Sequence, residues 1–144
     1  MNTVGQILKA KGSTVWTITK DAPVSEALKH FADHGIGSVV VMDGEVVAGI
    51  FSERDFARRV GLLGKEPEKV KVEEVMTREL ITVSPKQSVN ACMALMTEHR
   101  VRHLPVFEEG RLVGILSIGD VVKDLIEELQ FMVKQLENYI QGMR

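Results

Sequence analysis

The chain has 144 residues, of which 26% are charged and 44% hydrophobic, with a net charge of −2. That length suits one ordinary domain, or two halves too small to be stable apart, so any internal halves are expected to share a core. Dispersed Lys and Arg with one Trp and one Tyr leave no footprint for nucleic acid, and a lone cysteine, Cys92, excludes an internal disulfide or a thiolate metal cage.

Val4, Ile7 and Leu8 are spaced as one face of a short opening helix, and Gly12-Ser13-Thr14 predicts a loop after it. Residues 15–19, β-branched and aromatic, predict a strand. Pro23 in a first turn, then Val24, Ala27, Leu28 and Phe31 at helical spacing, predict a helix ending near His34-Gly35. The apolar run 39–42 predicts a buried strand, and Asp43-Gly44 ahead of 46–51 a hairpin. A helix is expected from Ser52 to about Val60. Residues 61–71, with two glycines and a proline among charges, read as a linker.

The order then replays as helix 72–76, strand 80–83, helix 88–99, strands 103–107 and 112–116, and a helix from Ser117 onward. This last helix departs from the repeat by running to about Ile140. Val121, Val122, Leu125, Ile126, Leu129, Met132, Val133, Leu136 and Ile140 recur at steps of three and four, with Asp124, Glu127, Glu128, Lys134 and Glu137 on the other face. Such a stripe either folds back on its own module or joins two copies, and self-association into a homodimer is the expectation.

Residues 16–60 shifted by 65 fall on 81–125 without a gap, pairing Thr17/Thr82, Val24/Val89, His34/His99, Val41/Val106, Gly49/Gly114, Ile50/Ile115, Ser52/Ser117 and Asp55/Asp120. Two copies of one unit predict two copies of one site, and the identities cluster at the strand-to-helix corner Gly-Ile-(Phe/Leu)-Ser-x-x-Asp. Ser-x-x-Asp is close to a capping box, in which hydroxyl and acid only finish a helix start. The same corner offers N–H groups and a hydroxyl to a phosphate, and a carboxylate to a ribose diol. Both copies keep Ser and Asp where a cap alone tolerates Thr, Asn, Glu or Gln, which favours a nucleotide.

His30 and His34 stand one helical turn apart without an evident third metal ligand, so no metal site is expected. Gly35-Ile36-Gly37 lacks the third glycine of a dinucleotide fingerprint and reads as a turn. No phosphate loop and no Ser-His-Asp or Cys-His arrangement can be assembled, so no catalytic residue and no enzymatic activity are expected. The start Met-Asn-Thr-Val-Gly-Gln has no basic and apolar leader, and no stretch reaches 18 apolar residues, so a cytoplasmic protein without a membrane partner is expected.

With Val72-Glu73-Glu74-Val75-Met76-Thr77, Val101-Arg102-His103-Leu104-Pro105-Val106 and Gly114-Ile115-Leu116-Ser117-Ile118-Gly119-Asp120, the chain resembles a tandem pair of cystathionine β-synthase (CBS) domains, or Bateman module, over about residues 3–126. The resemblance implies an α/β (α+β) fold: two repeated β-α-β-β-α units packed sheet to sheet with pseudo-twofold symmetry, plus a long C-terminal helix. The implied division is domain 1 at 3–62, a linker at 63–71, domain 2 at 72–126 and a helical extension at 127–144. It further implies a regulatory, signal-sensing module that binds AMP, ADP, ATP, NAD or S-adenosylmethionine in clefts between the sheets. No catalytic cofactor is implied; a homodimer and a regulated partner protein are. Carried over by position, Asp55 and Asp120 go to ribose hydroxyls and Ser52 and Ser117 to phosphate. Thr17 and Thr82 would line the clefts, Ser38, Val40, His103 and Pro105 would hold adenine, and Arg54, Arg102 and His103 would meet phosphate charge. Ser38-Val39-Val40 stands where the second repeat has His103-Leu104-Pro105, and Gly119 where the first has Arg54, so the two clefts are expected to differ. The alternative is a ligand-free assembly module.

Overall fold

The structure is a computed structural model and describes residues 2–143. In chain order it contains α1 (Val4–Lys11), β1 (Thr17–Thr19), α2 (Val24–His34), β2 (Ser38–Asp43), β3 (Val46–Ser52), α3 (Glu53–Phe56) with a π-helical continuation (Ala57–Gly61), α4 (Val72–Val75), α5 (Val89–His99), β4 (His103–Glu108), β5 (Arg111–Ser117) and α6 (Ile118–Gly142). The fold is α+β, built from two repeated units of small sheets, with a long final helix.

Packing does not follow the repeats along the chain. One compact unit holds residues 14–80, and the other combines residues up to 13 with those from 81 onward. Each repeat's opening helix therefore packs with the sheet of the other repeat: α4 belongs with β1–β3, and α1 with β4–β5.

In the unit of residues 14–80, β1 runs parallel to β2 and β2 antiparallel to β3. Ile18, Val39, Val41 and Phe51 of the sheet, Val24, Ala27 and Phe31 of α2, and Val72, Val75 and Met76 form the core. Pro23 offers α2 no side-chain cap. Its first amides need acceptors, and the supposed linker supplies them: Val24 N–H donates to Val70 O (2.8 Å) and Ser25 N–H to Pro67 O (3.1 Å), while Val72 N–H donates to Ala22 O (2.8 Å). Residues 67–72 are thus a fixed strap on the start of α2.

The other unit repeats the device. Val4 N–H donates to Gln87 O (2.9 Å) and Val89 N–H to Asn2 O (3.2 Å), tying α1 to the start of α5. Val4, Ile7 and Leu8 join Val83, Val89, Cys92, Met96, Leu104, Val106, Leu116 and Val121 in the core. At about 1.5–3 kcal/mol per buried apolar side chain, α1 is an integral part of this unit.

The strand expected over 80–83 is reduced to one bridging residue, Val83 opposite Val106. In the first repeat, β1 is flanked by ladder bonds from Val40 N–H to Trp16 O (3.0 Å) and from Lys20 N–H to Met42 O (2.9 Å). The corresponding donors in the second repeat are Pro105 and Pro85, which have no N–H, so only the two bonds of Val83 itself survive.

Both hairpins carry the same bulge, after Val41 in β2 and after Val106 in β4, and beside it Gly49 faces Val41 and Gly114 faces Val106. A Cβ on Gly49 would stand 2.5 Å from Thr77 O and 2.8 Å from Met76 Sδ. On Gly114 it would stand 2.8 Å from both δ-carbons of Leu8. The duplicated glycine is therefore set by the close approach of each docked opening segment.

Candidate functional site

Residues paired across a sheet point the same way, and neighbours along a strand alternate, so register decides which side chains share a face. Since Ile18, Val39, Val41 and Phe51 face the core, Thr17, Ser38, Val40 and Ser52 occupy the opposite face, with Thr17 paired to Val40 and Ser38 to Ser52. Ser38 and Val40 are buried, Ser52 is half-buried and Thr17 exposed. In the second repeat Leu104, Val106 and Leu116 face the core, which puts His103, Pro105 and Ser117 on the other face, His103 paired to Ser117. Thr82 precedes core-facing Val83 and falls on the same side as Pro105. Arg54 lies exposed in α3, and exposed Arg102 stands just ahead of β4, where its carbonyl accepts from Ile118 N–H at 2.8 Å. Gly37 O does the same for Glu53 N–H (3.0 Å), so the two corners are built alike.

At both corners the acid turns back onto its own main chain. Asp55, buried, accepts through Oδ2 from Ser52 N–H (3.0 Å) and Ser52 Oγ (3.1 Å), while Asp55 N–H donates to Ser52 Oγ (3.2 Å). Its Oδ1 accepts from Thr77 Oγ1 (3.0 Å). Asp120 Oδ2 accepts from Ser117 N–H (2.8 Å) and from Lys11 Nζ (2.6 Å), and Asp120 N–H donates to Ser117 Oγ (3.2 Å). Both corners are thus complete capping boxes, and much of the N–H capacity expected for a phosphate is already used.

The corners differ in electrostatics. Burial pushes the Asp120 carboxyl up, but the hydrogen bond from Lys11, the bond from Ser117 N–H and the lysine's charge outweigh it and hold the pKa below the ordinary carboxylate value. Asp55 has a neutral hydroxyl where Asp120 has a cation. Asp120 Oδ1 accepts no hydrogen bond among the described residues, and its side chain is 20% exposed. Lys11 and Thr77 both come from a docked opening segment, so each corner acid also fastens that segment. Neither was singled out in the sequence; Thr77 closes the Val-Glu-Glu-Val-Met-Thr motif, whereas nothing local links Lys11 to a residue 109 positions away.

Elsewhere, His34 stacks on Trp16 with ring centroids 3.5 Å apart and planes 8° from parallel, and His30 packs 5.5 Å from His34. Among the described residues no group of three or more His, Cys, Asp or Glu could hold a metal ion. Cys92 is a buried free thiol whose pKa burial pushes up. Among the described residues no helix is long and apolar enough to cross a membrane.

The family model for the CBS domain matches twice, at residues 6–61 and 72–127. The mitochondrial CBS domain-containing protein CBSX3 of Arabidopsis thaliana is 37% identical over 150 residues, covering 97% of this chain and 72% of that protein. A solved CBS-domain protein from Burkholderia ambifaria MC40-6 superposes with a TM-score of 0.85 at 51% identity, covering 88% of this chain and 95% of that one. The CBS domain pair of protein MJ0100, solved in complex with 5′-methylthioadenosine and S-adenosyl-L-methionine, shares the fold with a TM-score of 0.77 at 24% identity, covering 89% and 98% of the two chains.

Proposed function

The chain belongs to the CBS domain family as a tandem pair, a regulatory module, and on that premise we propose that it senses an adenine nucleotide and has no chemistry of its own. The observation that carries the reading is the doubled gathering of Thr17, Ser38, Val40 and Ser52, and of Thr82, His103, Pro105 and Ser117, on the sheet faces turned away from the cores. Each set joins hydroxyls to apolar surface, as adenine and sugar require, beside an exposed arginine, Arg54 or Arg102. Adenosine-containing ligands in the MJ0100 pair support the same class here, with AMP, ADP, ATP and NAD as the candidates.

The two corners differ in readiness. Asp55 has both oxygens committed, whereas Asp120 keeps Oδ1 for a ribose diol and has Lys11 beside it for phosphate. The second-repeat corner therefore takes the ligand first. Binding shifts the populations of two arrangements only through unequal affinity for them, and a regulated protein reads that shift. The acting unit is a homodimer joined through α6. A reducing compartment such as the cytoplasm suits its buried free thiol.

Titration calorimetry with AMP, ATP and NAD tests this. Heat of binding is expected for at least one. Asp120→Asn, which keeps side-chain shape, is expected to weaken it by about 1–3 kcal/mol, while Asp55→Asn lowers stability more than affinity. Unchanged affinity in Asp120→Asn would contradict the assignment. The turning of both acids into capping boxes favours a second reading, a ligand-free assembly module, and silence toward all three nucleotides is the result that selects it.

A further inference from the structure

The 25-residue helix α6 carries an apolar pattern with a period of seven. Val122, Leu129 and Leu136 fall at one heptad position, a, and Leu125, Met132 and Tyr139 at another, d. A sustained 3.5-residue period is the mark of a helix that supercoils against another helix. Position e is apolar as well: Ile126, Val133 and Ile140. From Ile126 onward these side chains are between 49% and 67% exposed. At 1.5 Å per residue the stretch from Val122 to Ile140 spans about 27 Å, so a strip about 10 Å wide amounts to roughly 270 Å² of contiguous apolar surface. The patch is not large for a single chain; its placement along one helix face in a heptad pattern is what suits a second helix.

The helix's own unit takes a different side of it. Val121 is 1% exposed and Asp124 6%, Glu128 is half-buried, and the Asn2 side-chain amide donates to Asp124 Oδ1. Val121 and Glu128 occupy position g and Asp124 position c, and Leu125 is half-buried beside them, so the intramolecular contact uses g and c and leaves a, e and the later d positions outward.

We propose that two copies of the chain pair through α6 as an antiparallel two-stranded coiled coil, with Val122 of one level with position 139 of the other and Leu129 level with position 132. This deepens, and rests on, the homodimer reading above. In a parallel pair each e side chain lies beside the partner's g; here that would set Ile126 and its successors against Glu128 and Gln135, and against Val121, which is already covered. In an antiparallel pair e lies beside e, and Ile126, Val133 and Ile140 meet one another. Charge points the same way. Residues 118–130 hold Asp120, Asp124, Glu127 and Glu128 against Lys123, whereas residues 131–142 hold Lys134 against Glu137. Antiparallel pairing sets each acidic half beside the partner's less acidic half, and parallel pairing stacks the acidic halves.

The full chain in a Cys92→Ala background, spin-labelled through Gln141→Cys, tests register and direction together. In the antiparallel pair position 141 lies level with position 120 of the other copy, so the labels stand roughly 30 Å apart or more; in a parallel pair they lie within roughly 20 Å. Sedimentation of the wild-type chain is expected to give a dimer, and of Leu129→Glu or Leu136→Glu a monomer with unchanged far-ultraviolet circular dichroism. A dimer with the short distance overturns the antiparallel inference and leaves the homodimer standing. A dimer mass that survives both substitutions shows the interface lies elsewhere and overturns the seam. A monomeric wild-type chain removes the homodimer reading itself, independently of the nucleotide titration.

Discussion

Adding one methyl group at Gly49 or at Gly114 should have very different effects, although the two residues are counterparts in the repeat. At Gly49 the new Cβ meets the Thr77 carbonyl oxygen at 2.5 Å, and that oxygen is backbone held by Ile50 N–H at 3.0 Å, with Thr77 N–H returned to Ile50 O at 2.8 Å. Relief requires the strand and the segment after α4 to part, which forfeits two hydrogen bonds worth about 0.5–1.5 kcal/mol each on top of about 1–3 kcal/mol of overpacking. Stiffening of the unfolded chain returns about 0.4–1 kcal/mol. The expected net cost of Gly49→Ala is therefore about 3 kcal/mol. At Gly114 the nearest atoms, at 2.8 Å, are the δ-carbons of Leu8, the far end of a flexible side chain, so a rotamer change suffices and the net cost is about 1 kcal/mol. Urea unfolding followed by circular dichroism measures both. A double-mutant cycle with Leu8→Ala should show strong coupling to Gly114→Ala, because the smaller side chain removes the clash. Equal costs, or a larger cost at Gly114, would refute the claim that a docked backbone at one site and a docked side chain at the other set these glycines.

Two further outcomes follow from the same geometry. Arg100 ends α5 with φ 55°, where its counterpart Gly35 ends α2 with φ 60°; Arg100→Gly should therefore stabilise by roughly 0.5–1 kcal/mol in chemical denaturation, and a loss of stability would show that the arginine's contacts outweigh its backbone strain. Lys11→Met removes the cation that depresses the Asp120 pKa, and a depressed carboxyl stabilises the fold above its unfolded pKa and loses that contribution as pH falls through the folded one. The stability gap between wild type and Lys11→Met should be about 0.5–1 kcal/mol and flat above about pH 5, shrinking as pH drops below about 4; a gap unchanged between pH 7 and pH 3 contradicts the ion pair's role.

Which parts of this were legible in the sequence follows from the range of the forces involved. The duplicated corner was legible because a helix start is local: Ser52 and Asp55, or Ser117 and Asp120, are neighbours in the chain and close the same box twice. The two sheet faces were not legible from alternation, because residues 39–42 are apolar throughout, and only the resemblance grouped Thr17, Ser38 and Val40. The docking of α1 and α4 was not legible either, since Val4, Ile7 and Leu8 require burial without specifying which sheet supplies it. Lys11 and Thr77 stayed hidden for that reason, as they reach the corners only once the opening segments have crossed. The loss of the strand at 80–83 could have been read, because Pro85 and Pro105 stand where the first repeat uses the N–H groups of Lys20 and Val40. A β-branched pattern states a preference for strand, and the missing donors decide how much of it is realised.

The cap that each corner forms and the ligand site proposed for it would compete for the same carboxylate, and the partners of that carboxylate decide the outcome. Asp55 is held by Ser52 and by the Thr77 hydroxyl, so a ligand drawing on it must break neutral bonds in a buried place and leave Thr77 to find another acceptor. Asp120 is held by Ser117 and Lys11, and the nucleotide proposed above would bring its own anion to the exchange: its ribose would donate to the carboxylate while its phosphate received the lysine. The carboxylate would then keep hydrogen-bond donors and the lysine an anion, so neither is left without a partner. Lys11 is also the last residue of α1, which this ion pair ties to the start of α6, so a ligand that takes the lysine would loosen or reset that tie. The proposed sensing would thus rest on a structural tie that can be traded for a chemically similar one, and the Asp120 corner is the one where both members of the tie would keep a partner.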